Sequence, residues 1–272
     1  MRFLQLTIGM AVAVAAPSVI ANEITCFSGW DLRMAHWPDC ATPQDEDDMP
    51  LTDALRNEYL GKFTTCVIKP GWQERVGRAA RRVVAARDRY DAVSRETAVP
   101  WYVIAVIHQM ECGGKRDPFG CHLHNGDSLL RRTVRVPRGR PADGKPPFSW
   151  ETSAVDALRY QGLHEWGDWS LAGTLYQLEL YNGTGYRKRM VPTPYLWSGS
   201  QHDLNHDGRV DATEAAFGYV AGKYVADGRF DPKAVSEQVG SAVIIRRLVD
   251  LHEVALPELS VGARDAKCEG MP

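Results

Sequence analysis

The sequence predicts a mainly α protein, of the α+β kind, with one small β-hairpin element in its middle. Three observations carry this. Residues Trp101 to Cys112 are apolar nearly all round at helical spacing, as in a helix enclosed by others. Several further stretches keep an apolar stripe of helical period behind a Ser or Thr cap. Only Thr133-Val134-Arg135-Val136 alternates with the period of a strand, and Pro137, Gly139 and Pro141 punctuate the residues after it.

Taken in order, Met1 to Ala21 reads as a secretory leader. Arg2 is its basic start, Leu4 to Ala16 its apolar centre, and Val19 and Ala21 suit the small-residue cleavage rule. The mature chain is expected to begin near Asn22. The apolar centre is too short to span a membrane as a mature helix, and no later stretch qualifies. An exported protein, periplasmic or secreted, without an integral membrane segment is therefore expected. Residues 22–75 are expected to form an N-terminal extension packed on a main domain of residues 76–256, with 257–272 as a tail.

Residues 22–50 are irregular and carry the acidic run Asp45 to Asp48. Leu51 to Cys66 reads as a helix with Thr52 as its N-cap. Gln73 to Glu96 reads as one longer helix, with Val76, Ala80, Val83, Val84 and Tyr90 on its apolar stripe and arginines opposite. Pro100 opens the next helix at a first-turn position, where its missing N–H costs nothing. Gly113 and Gly114 stop that helix. Ser149 or Thr152 caps a helix over 153–163. Ser170 caps another from Leu171 to Tyr181, which ends at Asn182-Gly183. Asp231-Pro232 opens the last helix, which reaches Glu253. No internal repeat is present.

A net charge of −2 over 272 residues gives no global pull toward nucleic acid, and a monomer is expected. Six cysteines follow the leader: Cys26, Cys40, Cys66, Cys112, Cys121 and Cys268. An even number in an oxidising compartment points to disulfides, although sequence alone does not choose the pairing. Cys112–Cys121 is the favoured local pair, and Cys26–Cys40 with Cys66–Cys268 would complete the set.

Glu111 is the first candidate for chemistry. It stands on the last turn of the enclosed helix. Burial and the negative end of a helix both hold a carboxyl protonated to higher pH, which is what a general acid needs. Asp127 is a weaker candidate for a second carboxylate. It follows Asn125-Gly126 in a turn, where Asp most often caps its own backbone. Asp117, Glu165 and Glu179 rank below it.

The sharpest local motif runs from Asp203 to Glu214. Asp203, Asn205, Asp207, Asp211 and Glu214 stand at the oxygen-bearing positions of an EF-hand calcium loop, with the Arg209 carbonyl as a further ligand. Gly208 stands at the sharp turn and Val210 at the apolar position. No helix is predicted before it, so a structural calcium ion is expected rather than a sensor.

His108, His122 and His124 raise two rival readings. One is a zinc site using His122 and His124, although no HExxH or CxxC pair is present. The other is a thiol peptidase with Cys112 as nucleophile and His108 as base. Polar residues lining a cleft is the plainer reading. Arg131, Arg132, Arg135, Arg138 and Arg140 form a basic run that reads as a solvated face or as a holder of an anionic polymer. Some of the many aromatics, Trp101 among them, could stack on sugar faces.

These residues together resemble the lysozyme-like superfamily, in particular lytic transglycosylases and phage-type lysozymes. The resemblance covers roughly residues 80–252 and rests on three stretches. The helix IAVIHQMECG ends in Glu111. The helix LAGTLYQLELYNG ends in the aromatic-Asn-Gly group at Tyr181, Asn182 and Gly183. Between them, the block His124 to Pro141 is similar to a bacterial and phage subgroup. Some lytic transglycosylases also carry an EF-hand-type loop. Cys112 stands where that family often has Ser, and a Gly-Leu-Met-Gln motif is absent, with His122 to Gly126 in its place.

The resemblance implies an enzyme that cleaves the β-1,4 glycan strands of peptidoglycan, with Glu111 as acid and base. Tyr181, Asn182, His124, Asn125 and Trp101 are the residues expected to meet the sugar or orient Glu111. A non-catalytic peptidoglycan-binding protein of the same fold is the alternative.

Overall fold

The structure, a computed structural model, describes residues 49–135, 137–202, 222–226 and 229–259. Within them the protein is mainly helical. In chain order run α1 (Asp53–Thr64), α2 (Gln73–Ala85), α3 (Arg87–Thr97), α4 (Trp101–Cys112) and α5 (Trp150–Tyr160). Then come α6 (Leu171–Asn182), a short α7 (Pro194–Trp197), the antiparallel pair β1 (Lys223–Ala226) and β2 (Arg229–Asp231), and α8 (Ser241–Asp250).

The apolar helix α4 is enclosed, as its composition requires. It packs against α2, α3, α6 and α8. Every residue from Tyr102 to His108 is buried, as are Met110 and Cys112. Each of its large aliphatic side chains contributes roughly 1.5–3 kcal/mol by leaving water. α5 lies on α3, α1 on α6, and α7 bridges α6 and α8. Leu55, Tyr59 and Phe63 of α1, with Cys66, Ile68 and Trp72 after it, share one continuous core with α2 to α8. The stretch expected to be an extension is thus, from residue 49 onward, part of the same core.

Three caps fall where the sequence places them. Thr52 accepts from the Leu55 amide, Ser149 from Thr152, and Ser170 from Gly173. Each satisfies one backbone donor that the helix itself cannot. Ser149, not Thr152, starts α5, which therefore begins at Trp150 and ends at Tyr160. Pro100 is the N-cap of α4 rather than its first helical residue.

Three expectations change. The single helix over Gln73–Glu96 is two, parted at Ala86, whose N–H turns back to the Val83 carbonyl. No Pro or Gly forces the break. It lets α2 lie on α8 while α3 lies on α5. The last helix begins at Ser241, not at Asp231. Asp231 ends β2, and its Oδ1 accepts the Lys233 amide at 2.8 Å. Gly240 starts α8 because it passes close to α7: a Cβ there would lie 2.3 Å from the Leu196 carbonyl oxygen.

The β-hairpin is also elsewhere. Thr133 to Arg135 form no strand, and Val136 is outside the described residues. The amides of Val134 and Arg135, which a ladder would use, both donate to the Asp127 carboxylate. The signal-like residues 1–21, Cys26, Cys40, Cys268 and the calcium-type loop 203–214 also lie outside the described residues. Among the described residues no helix is long and apolar enough to cross a membrane.

Candidate active site at the end of the central helix

Glu111 stands one residue from the end of α4 and is half-buried. Two constraints shape the turn after it. A disulfide joins Cys112 to Cys121 across a sequence separation of 9. Gly126 then brings the returning loop against the helix end. Its φ is +71°, and a Cβ there would lie 2.8 Å from the Glu111 carbonyl oxygen. A glycine is needed on both counts.

The loop continues over the end of α6. The buried Tyr181 hydroxyl donates to the Leu123 carbonyl at 3.1 Å. The loop is therefore held between the Glu111 turn on one side and Tyr181 on the other. Asn182 is half-buried, and its Nδ2 donates to Thr193 Oγ1 at 3.4 Å. It lines a cavity of about 210 Å³ with Tyr186, Tyr195, Tyr224, Glu237 and Gln238. Gln238 also donates its side-chain amide to the Met110 carbonyl, the residue before Glu111. Gln238 thus links the cavity to the last turn of α4. Gln238 had no sequence signal, since it reaches the helix from 128 residues away.

Asp127 is buried and fully engaged. Oδ2 accepts the Val134 and Arg135 amides at 2.9 and 3.0 Å, and Oδ1 accepts Arg135 Nε at 2.7 Å. Burial pushes its pKa up, but those donors and the guanidinium charge outweigh it and hold the carboxyl below its usual range. Asn125 completes the knot: its Oδ1 accepts the Asp127 amide at 2.9 Å and its Nδ2 donates to the Arg135 carbonyl at 3.1 Å.

The histidines face inward. His122 lies between Ser153 Oγ and the Arg131 carbonyl, both at 2.7 Å. His124 Nε2 meets Asp156 Oδ2 at 2.7 Å, and Asp156 also pairs with Arg140. Burial lowers the His124 pKa despite that carboxylate. His122 and His124 thus pair with other groups rather than converging on a zinc ion. His108 Nδ1 is 2.9 Å from the Tyr90 hydroxyl and Nε2 is 2.9 Å from the Pro118 carbonyl. Burial lowers its pKa to about 4. Cys112, tied to Cys121, offers no thiolate to a peptidase reaction.

Trp101 is at the far end of α4, about 15 Å along the axis from Glu111 at the usual helical rise. Its ring lies under the Arg87 guanidinium, 4.6 Å away. Asp117 and Glu165 are exposed. Glu179 is buried, and its Oε2 accepts from the Tyr59 hydroxyl at 2.6 Å and from Arg187 at 2.7 Å. Arg187 also reaches Glu58, which Lys62 neutralises in turn. This compensated network anchors α1 on α6.

Comparison of the chain with protein-family models, with curated proteins and with solved structures finds no match.

Proposed function

We propose that this chain is an exported enzyme that cleaves the β-1,4 glycan strands of peptidoglycan, with Glu111 as its acid and base. The observation that carries the reading is the position of Glu111. It stands on the last turn of the enclosed helix α4, half-buried, beside a loop that Tyr181 ties to the end of α6, and Gln238 joins the carbonyl just before it to a cavity that Asn182 lines. The Cys112–Cys121 disulfide fits an oxidising compartment.

Asp127 carries two backbone amides and a guanidinium, so it serves the loop rather than a water molecule. That favours a mechanism with one carboxyl group. Glu111 gives its proton to the leaving glycosidic oxygen. As a carboxylate it then takes the proton from the sugar's own C6 hydroxyl, which attacks the anomeric carbon. Proximity replaces a positioned water. The product ends are 1,6-anhydro-muramyl groups. The loop 203–214 supplies hard oxygen donors from Asp203, Asn205, Asp207, Asp211, Glu214 and the Arg209 carbonyl, a set suited to one structural calcium ion.

The test is incubation with purified peptidoglycan and mass analysis of the released fragments. Glu111→Gln keeps the shape and removes the transferable proton, so turnover should fall by about 100-fold or more. A variant folded by circular dichroism that cleaves at the wild-type rate refutes the role. Reducing ends, heavier by one water, refute the one-carboxyl mechanism.

A further inference from the structure

The described residues bring one set of metal-capable side chains together outside that reaction: His108, Cys112 and Cys121, all buried, with their ligand atoms within 4.8 Å of one another. We propose that these three side chains hold one zinc ion when the Cys112–Cys121 disulfide is reduced. The same two cysteines would then close the turn after Glu111 in either redox state, covalently or through the metal. This inference is independent of the glycan reading.

Placement supports it first. His108 and Cys112 are four residues apart on α4 and so share one face. Cys121 returns to that face on the loop. His108 Nε2 and Cys121 Sγ both approach the Pro118 carbonyl oxygen, at 2.9 and 3.3 Å, so Nε2 shares a neighbour with one of the two sulfurs. The other nitrogen, Nδ1, has the Tyr90 hydroxyl at 2.9 Å. A ligating histidine needs such a partner to fix its tautomer. In the disulfide form Nε2–H donates to Pro118. In the zinc form the proton moves to Nδ1 and is donated to the Tyr90 oxygen, which frees the Nε2 lone pair. Phe119 and Trp150 hold the ring, with centroids 4.6 and 4.8 Å away.

Charge supports it second. One divalent ion, two thiolates and a neutral imidazole sum to zero charge. A buried site tolerates that sum, whereas a monovalent ion would leave a net negative charge there. Two sulfurs and one imidazole are ligands that zinc takes, and the fourth position falls to the Pro118 carbonyl oxygen or a water. The chemistry balances. A dithiol gives two electrons and two protons to the disulfide and becomes a disulfide itself. The ion then displaces both thiol protons to solvent.

The full mature chain tests this, reduced with excess dithiol, freed of it without air, and titrated with cobalt(II) as the probe. The expected result is thiolate-to-cobalt charge-transfer absorption that is displaced by zinc and absent from the oxidised chain. Cys121→Ser should remove the Cys112–Cys121 component. Tyr90→Phe keeps the packing but removes the partner of Nδ1, and should weaken binding by about 10–100-fold. Reduced chain with free thiols and no such absorption overturns the proposal. So does an absorption unchanged by Cys121→Ser, or an affinity unchanged by Tyr90→Phe.

Discussion

Replacing Asp127 by Asn separates a structural carboxylate from a catalytic one. In the native loop Oδ2 takes two backbone amides and Oδ1 takes Arg135 Nε. An Asn can keep its oxygen on the two amides, but its NH2 then faces the guanidinium, donor against donor. A hydrogen bond to a charged group contributes about 1.5–3 kcal/mol. Arg135 has 63% of its side chain exposed, so solvent screens the pair and the lower end applies, about 1–2 kcal/mol. Asp127→Ala also strands the two amides. Val134 and Arg135 are exposed enough for water to reach them, so roughly 1 kcal/mol each is added and the total is about 3–4 kcal/mol. At roughly 2–4 °C per kcal/mol for a chain of this size, Asp127→Asn should lower Tm by about 3–6 °C, and Asp127→Ala by more.

Thermal melts followed by circular dichroism at pH 7 measure this. The pH dependence checks the cause. The folded pKa of Asp127 is lowered, so its contribution is complete above the unfolded value of 3.8 and is lost as pH falls through the folded value. The gap between wild type and Asp127→Asn should therefore close in acid. An Asp127→Asn protein that melts with wild type at pH 7 and has lost glycan cleavage would refute the reasoning. It would make Asp127 a reacting group.

Three further outcomes are expected. His108 titrates near 4 when folded and near 6.5 when unfolded, so the unfolded chain binds the extra proton between those values. Stability should then fall by about 2 kcal/mol from pH 7 to pH 5, and urea unfolding with no loss over that range contradicts it. Gly126→Ala forces a Cβ onto the Glu111 carbonyl at positive φ and should cost at least about 2 kcal/mol, with reduced cleavage. An alanine variant as stable and active as wild type counts against the close approach. Calcium should raise the Tm of the wild type, and Asp203→Ala combined with Glu214→Ala should abolish the rise. Calorimetry without heat of binding, and an unmoved melt, exclude the site.

The helices that were legible announce themselves locally. Trp101 to Cys112 has no polar face, so it had to be enclosed, and α4 is. Thr52, Ser149 and Ser170 are short oxygen-bearing side chains before apolar stripes, and each caps the helix after it. The Cys112–Cys121 pair was legible from nearness along the chain. The misplaced hairpin shows the limit. Thr133 to Val136 has the alternation of a strand, but a strand needs a partner, and a carboxylate eight residues before Arg135 took its amides instead. Asp231-Pro232 likewise suits a helix start, yet Asp231 pairs with Lys223 in a sheet.

What the sequence determined by itself was the set of local preferences: the caps, the apolar helix, the carboxyl at its end and the cysteines around it. The tertiary structure decided which groups those residues meet. It turned His124 toward Asp156 of α5 and set the Arg135 guanidinium on Asp127. It drew Gln238 to the Met110 carbonyl and set His108 beside two sulfurs. The physical reason is range. A cap or an apolar stripe is settled within a turn or two of chain. A hydrogen bond to a residue 128 positions away exists only after the helices have packed.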